Sequence, residues 1–184
     1  MKNRFFDPSE LEIVDQSVLL AEDLVNNYFK LSPAQWLKNR YDIKTGEALL
    51  SHERVDGPFA QVLKYAGRRR GDFLGSSTYS LYKVCLQDPA ILNFVSRSVR
   101  ISLSPFLLYI LVHELVHVVR FLRFEHRYES TSESDVTYEE ERKVHELTRK
   151  IILPIPMDGV GEVLEFFKDW HRSANGWPGG EIFE

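Results

Sequence analysis

Apolar positions along the chain follow two periods, and the switches between them outline the elements. Leu11, Val14, Val18, Ala21, Val25 and Tyr28 recur at three- and four-residue steps, which predicts an amphipathic helix from about 8 to 30. Asp7 is placed to cap it, Pro8 takes its first position and Glu10 completes a capping box. Ser32-Pro33 restarts a short helix through Trp36 and Leu37. Residues 42–57 are mixed, with turn signals at Thr45-Gly46 and Asp56-Gly57-Pro58, and a helix is expected from Pro58 to Ala66. After a breaker region from Gly71 to Ser77, residues 78–87 are rich in β-formers and predict a strand. Asp88-Pro89 opens a helix over 89–97, and Val99, Ile101 and Leu103 alternate with Arg100 and Ser102 as in a half-buried strand. Ser104-Pro105 then reads as a cap and first residue of a long helix over 105–123. A polar loop over 124–137 ends in the capping-box pattern Thr137-Tyr138-Glu139-Glu140, which opens a helix over 138–152, stopped by Pro154 and Pro156. A last helix over 159–170 carries Val163, Leu164, Phe166, Phe167 and Trp170, and an irregular tail follows over 173–184.

These elements predict an α+β fold: one mainly helical domain over 1–172 with a small mixed sheet. Its parts are a helical N-terminal region at about 8–66 and a core at about 78–156. With 184 residues, 43% of them hydrophobic and 27% charged, the chain can bury a real core. The apolar run 105–122 approaches membrane-span length, but His113, Glu114, His117 and Arg120 would fall inside it, which favours the buried helix of a soluble domain. The N-terminus has no apolar stretch of signal-peptide type, so a cytoplasmic location is expected. A net charge of −4 and the lack of a basic stripe argue against nucleic acid or an anionic membrane as partners; Arg68-Arg69-Arg70 reads as a solvated loop. The single cysteine, Cys85, excludes an intrachain disulfide and a Cys-based zinc site, and its apolar neighbours make it a core residue.

One feature resists the core reading. Leu111-Val112-His113-Glu114-Leu115-Val116-His117-Val118-Val119 puts two imidazoles and a carboxylate inside an apolar helix, where unpartnered polar groups are costly. His113-Glu114-Leu115-Val116-His117 is H-E-x-x-H. On a helix, positions i and i+4 share a face, so both histidines can point at one Zn²⁺, with Glu114 beside them as general base. A catalytic site needs a third protein ligand and an open position. A histidine six residues after His117 is ruled out, because that position is Arg123, and His126 lies in the loop without helical geometry to aim it. The next helix offers three acids. Its apolar face is set by Val144, Leu147 and Ile151; Glu139 points away, Glu140 falls at the backbone-bonding position of the Thr137 capping box, and Glu141 is left to turn inward. His145 and Thr148 continue the Glu141 stripe and suit a shell around a metal, so His126, Glu140 and His145 stand as alternative or supporting groups beside Glu141.

Together, His113-Glu114-Leu115-Val116-His117 and the segment from Glu141 to Ile151-Ile152-Leu153-Pro154 resemble the ImmA/IrrE group of metallopeptidases among the gluzincin-type zincins. The resemblance covers about residues 99–156. It implies a zincin-like core in which an active-site helix is followed by a second metal-ligand helix, with Glu141, 13 residues before Pro154, as the third zinc ligand. The chain departs from the family pattern at Val116, where glycine is usual, at His145, where asparagine is usual, and at Leu147 and Thr148, where small residues are usual.

The expected function is a zinc-dependent hydrolase acting on a peptide or protein substrate, with Glu114 taking a proton from water and passing it to the leaving amine. Tyr128, Tyr138, His126, His145 and His171 are candidate oxyanion donors, and the strand at 99–103 is a candidate edge for β-addition of a peptide. The competing readings are a zinc-stabilised interaction module without catalysis, closed by a fourth ligand, and a helical partner-binding protein without metal. The tail at Trp177-Pro178-Gly179-Gly180 could lie across a cleft or simply end the chain.

Overall fold

The computed structural model describes residues 4–32, 41–68, 78–124 and 133–168. In chain order the elements are α1 (Pro8–Phe29), β1 (Tyr41–Lys44), β2 (Ala60–Arg68), β3 (Thr78–Leu86), α2 (Asp88–Arg97), α3 (Leu103–Phe124), α4 (Glu133–Ile152) and α5 (Val160–Phe166). Single-turn 3-10 helices at Gly46–Ala48 and Ser51–Glu53 lie between β1 and β2. The protein is α+β, with a small mixed sheet among five described α-helices.

Helix α3 is the axis of the fold. From Phe106 to Val112 every side chain is at most 2% exposed, and Leu115, Val116, Val118 and Val119 are equally covered. A helix that is apolar all round has no solvent face and must be enclosed on every side. Here α1, α4, α5 and the sheet enclose it. The window Leu103–Arg123 is apolar enough to cross a membrane, but 83% of it is buried inside the protein, as befits a core helix.

Helix α1 forms as its N-terminal signals dictate. The Asp7 carboxylate accepts hydrogen bonds from the backbone of Ser9 and Glu10 at 3.0 Å each, and the Glu10 side chain accepts from the Asp7 N–H at 2.9 Å. Val14, Ser17, Ala21 and Val25 are its buried stripe, and Lys30 in the left-handed region ends it. Tyr28, assigned to the apolar stripe from the sequence, is instead 42% exposed.

The sheet order is β1-β3-β2, with β1 parallel and β2 antiparallel to the central β3. Tyr82, Val84 and Leu86 are buried on the face towards α3, where Tyr82 stacks on Phe121 at 6.1 Å between ring centroids. The opposite face is closed by a polar knot. Glu53, fully buried, accepts from Lys83 Nζ at 2.6 Å, Tyr65 Oη at 2.7 Å and the Leu50 N–H at 2.9 Å. Its backbone carbonyl accepts from Gln61 and Gln87 at 3.1 and 2.9 Å. A second buried acid, Asp88, ties the chain before α1 to the start of α2 by accepting from the N–H of Phe6 at 3.2 Å and of Gly46 at 2.7 Å. Glycine is required at 46, because a Cβ would stand 2.9 Å from Phe5 and 3.1 Å from Asp88 Cγ.

Four expectations are corrected. Residues 58–66 form no helix; nine residues from Ala60 to Arg68 pair with β3, so the region expected to be helical over 8–66 contributes two of the three strands. Ala60-Gln61-Val62-Leu63-Lys64-Tyr65-Ala66 has mixed propensity, and the hydrogen bonds offered by β3 decide it. Residues 99–102 form no strand: Val99 is fully exposed, Ile101 is buried, and among the described residues no strand pairs with them. Helix α3 starts at Leu103, so Ser104 is inside it rather than capping it. Helix α4 starts at Glu133, which places Thr137 to Glu140 within the helix and removes the expected capping box. The expected helix at 33–37, Arg69 and Arg70, the loop residues 125–132 with His126 and Tyr128, and the chain from 169 with His171 and the tail lie outside the described residues.

The knot around Glu53 generates a pH prediction. Hydrogen bonds from Lys83 and Tyr65 outweigh burial and pull the Glu53 carboxyl down from its ordinary 4.5 to about 2. A lowered folded-state pKa means that its stabilisation is complete above 4.5 and is lost as the pH falls from there towards 2. Glu53→Gln should lower stability at pH 7 by about 3 kcal/mol, since it leaves the Lys83 ammonium unpaired. Melting curves between pH 7 and pH 2 should show a shallower acid decline in the variant than in the wild type.

Candidate metal centre

The polar residues of α3 are part of a stripe. Phe106, Tyr109, His113, His117 and Phe121 recur at three- and four-residue steps and so share one face. Their rings continue one another: Tyr109 to His113 at 6.3 Å, His113 to His117 at 4.8 Å and His117 to Phe121 at 5.6 Å between centroids. Phe167, just beyond α5, covers Tyr109 face to face at 3.9 Å and 2°.

The two histidines turn the same atom to one point. Their Nε2 atoms are 3.1 Å apart. Glu141 arrives from α4 with Oε1 3.2 Å from His117 Nε2 and Oε2 3.5 Å from His113 Nε2. A tetrahedral ion with metal–ligand bonds of 2.0–2.1 Å spaces its ligand atoms by about 3.3–3.4 Å. The Nε2–Nε2 edge and the His117 Nε2–Oε1 edge lie close to that value, and taking one ligand atom from each residue the three fall within 4.8 Å of one another. The donor set, two imidazoles and one carboxylate, is a set that zinc accepts. His113 is fully buried and His117 is 7% exposed, while the Glu141 side chain is 35% exposed, so the cluster meets solvent on the Glu141 side.

The surroundings fit a cation as well. Among the described residues, His117 Nδ1, Glu114 Oε1 and Thr148 Oγ1 are buried without a hydrogen-bond partner. Such an accumulation of unmet polar atoms is costly in an apolar core. Burial pushes His113 down to about 4, against the pull of Glu141, so its ring is neutral at pH 7, the form that ligates. Burial would also depress His117, but the hydrogen bond and charge of Glu141 and the charge of Glu114 raise it. For Glu141 burial is outweighed by hydrogen bonds from both histidines, which hold it well below the usual carboxylate range. Glu114 is 2% exposed, and burial, reinforced by the charge of Glu141 and opposed by His117, pushes its carboxyl up to about 7.

The other expected site residues separate clearly. Glu140 faces Arg120, one turn beyond His117, in a two-pronged ion pair whose Nη2–Oε2 arm is 2.6 Å. It therefore neither caps the helix backbone nor joins the cluster. His145 stands against His113, 4.5 Å between ring centroids, and its Nδ1 is 2.7 Å from the Tyr109 hydroxyl. The gathered ligand atoms are those of His113, His117 and Glu141, so His145 is a neighbour of the cluster rather than a member. Tyr109 was not singled out from the sequence; its place four residues before His113, on the same helical face, was the available signal.

Zinc should raise the melting temperature of metal-free protein. At a hundred times its dissociation constant the ion adds about 2.7 kcal/mol, or roughly 5–10 °C for a chain of this size. Glu141→Ala should abolish the rise, whereas Glu139→Ala, on the exposed side of α4, should keep it. Equal rises in both variants, read by differential scanning calorimetry, would remove Glu141 from the ligand set. Comparison of the chain with family models, with curated proteins and with solved structures finds no match.

Proposed function

We propose that this chain is a zinc-dependent metallohydrolase acting on peptide bonds. The observation that carries the reading is the triangle of His113 Nε2, His117 Nε2 and Glu141 carboxylate, with the buried carboxyl of Glu114 on the residue next to His113. When bound, zinc would supply Lewis acidity, lowering the pKa of water towards neutrality and polarising a carbonyl.

The chain's own residues supply the rest. His113, His117 and Glu141 would hold the ion and leave the fourth tetrahedral position to water and substrate. Glu114, with its carboxyl near neutrality, is matched to taking a proton from water and returning it to the leaving nitrogen. A proton on Glu114 Oε1 is held out of bulk water, because that atom is buried. Tyr109 fixes the ring plane of His145 behind His113, which keeps the first histidine in place. An extended substrate has a strand to pair with in β2, an edge of the described sheet, which begins beside α3 where Phe59 packs on Phe106 at 4.9 Å. This edge replaces the one expected at 99–103.

The reading that the site is a closed structural zinc centre needs a fourth protein ligand. The described residues gather three. Glu114→Gln separates the two readings. It should keep stoichiometric zinc, measured by elemental analysis, and lower the cleavage rate of a proteome-derived peptide library by about 10²- to 10⁴-fold. Undiminished cleavage in the variant, or in metal-free wild type, overturns the mechanism.

A further inference from the structure

A cavity of about 380 Å³ lies behind His113, between α4 and the end of α5. Tyr109 and Phe167 form its aromatic floor, and His145 separates it from the cluster. Its charged lining is Arg142, Arg149, Lys168 and one acid, Glu146. Two of the cations have partners: Arg142 Nη1 is 3.2 Å from Glu146 and Lys168 Nζ is 3.0 Å from Glu165. Among the described residues Arg149 has no ion-pair partner.

Helix α4 links this cavity to the cluster. Glu141, His145 and Arg149 are spaced by four residues and follow one face: ligand, ring, cation. Eight residues of helix span about 12 Å. Helical side chains lean towards the N-terminus, so the Arg149 guanidinium reaches back towards Glu141. The gap that remains is about two to three residues of extended peptide at 3.3–3.6 Å each. Arg142, next to Glu141 on the solvent-accessible side of the cluster, is also part of the cavity wall.

We propose that this cavity is a specificity subsite that receives a carboxylate of the substrate, two to three residues from the bond cleaved, with Arg149 as its anchor. The inference rests on the peptidase reading and names its substrate class. A guanidinium binds a carboxylate through two parallel hydrogen bonds, and Arg149, solvent-exposed on the cavity wall, has its fork open to an incoming one. The carboxylate can belong to an acidic side chain or to the peptide's C-terminus.

The test is an array of tethered decapeptides in Glu/Gln pairs, each with a free or an amidated C-terminus, probed with zinc-loaded Glu114→Gln protein. The acidic member of a pair should bind at least tenfold more strongly than its amide. Adding Arg149→Glu should erase that preference, while Arg100→Glu, the same charge change at an exposed site outside the cavity, should preserve it. A preference that follows the free C-terminus assigns the carboxylate to the chain end, and one that follows Glu assigns it to a side chain. Equal binding of acid and amide, or a preference that survives Arg149→Glu, overturns the subsite. Cleavage of the peptide library by wild type is read separately. Cleavage without acid preference overturns the subsite and leaves the peptidase; acid preference without cleavage does the reverse.

Discussion

The structure depends on enclosing one helix. Helix α3 is apolar on all sides, so none of its faces can be left to water, and α1, α4, α5, β2 and β3 are packed against it. Such a helix tolerates polar atoms only where something compensates them. His113, Glu114 and His117 occupy the middle of this one, and the answer comes from α4, which brings the Glu141 carboxylate to both imidazoles. The burial that stabilises the fold is thus the same burial that makes the cluster chemically unusual. It holds His113 neutral well below pH 7 and raises Glu114, a carboxyl that in solvent would be fully ionised at neutral pH.

Helix packing also explains why only one of three successive glutamates joins the cluster. Glu139, Glu140 and Glu141 are turned about 100° from one another around α4. Arg120, on α3 one turn after His117, takes Glu140 with two prongs, and Val144, Ile151 and Ile152 seat the apolar face of α4 in the core. With that face seated, Glu141 points at the histidines and Glu139 at solvent. A partly buried ion pair of this kind contributes more through the geometry it selects than through net stability.

What could be read from the sequence was whatever a local rule determines. The α1 start was legible because Asp7, Pro8 and Glu10 act on backbone groups within four residues. His113 and His117 were legible because helical spacing alone puts them together; the apolar face of the next helix excluded Glu139 but left Glu140 and Glu141 together, and the capping box used to set Glu140 aside is not what occupies it. Features that depend on a distant partner were not. Residues 60–68 have no strand signature of their own and become β2 only through β3. Residues 99–103 have the alternation of a strand and, among the described residues, no neighbour to satisfy it. Glu140 carried a sound capping pattern, but helix α4 extends past it, and Arg120, 20 residues away, claims the side chain. Tyr109 looked like any other core aromatic until His145, on another helix, was seen to meet its hydroxyl.

The division of labour between Glu140 and Glu141 has a consequence for how this chain can vary. The cluster is sensitive to phase on α4 and indifferent to the number of residues joining α3 to α4. Residues added between the two helices leave the angle between neighbouring glutamates as it is. A single residue inserted between Glu141 and Val144 rotates the acids by about 100° against the apolar face that docks α4, and Glu141 loses its view of the histidines. Sequences built on this plan should therefore be elastic in their interhelical spacing and rigid in the interval from Glu141 to the buried Val144, Ile151 and Ile152 that seat it.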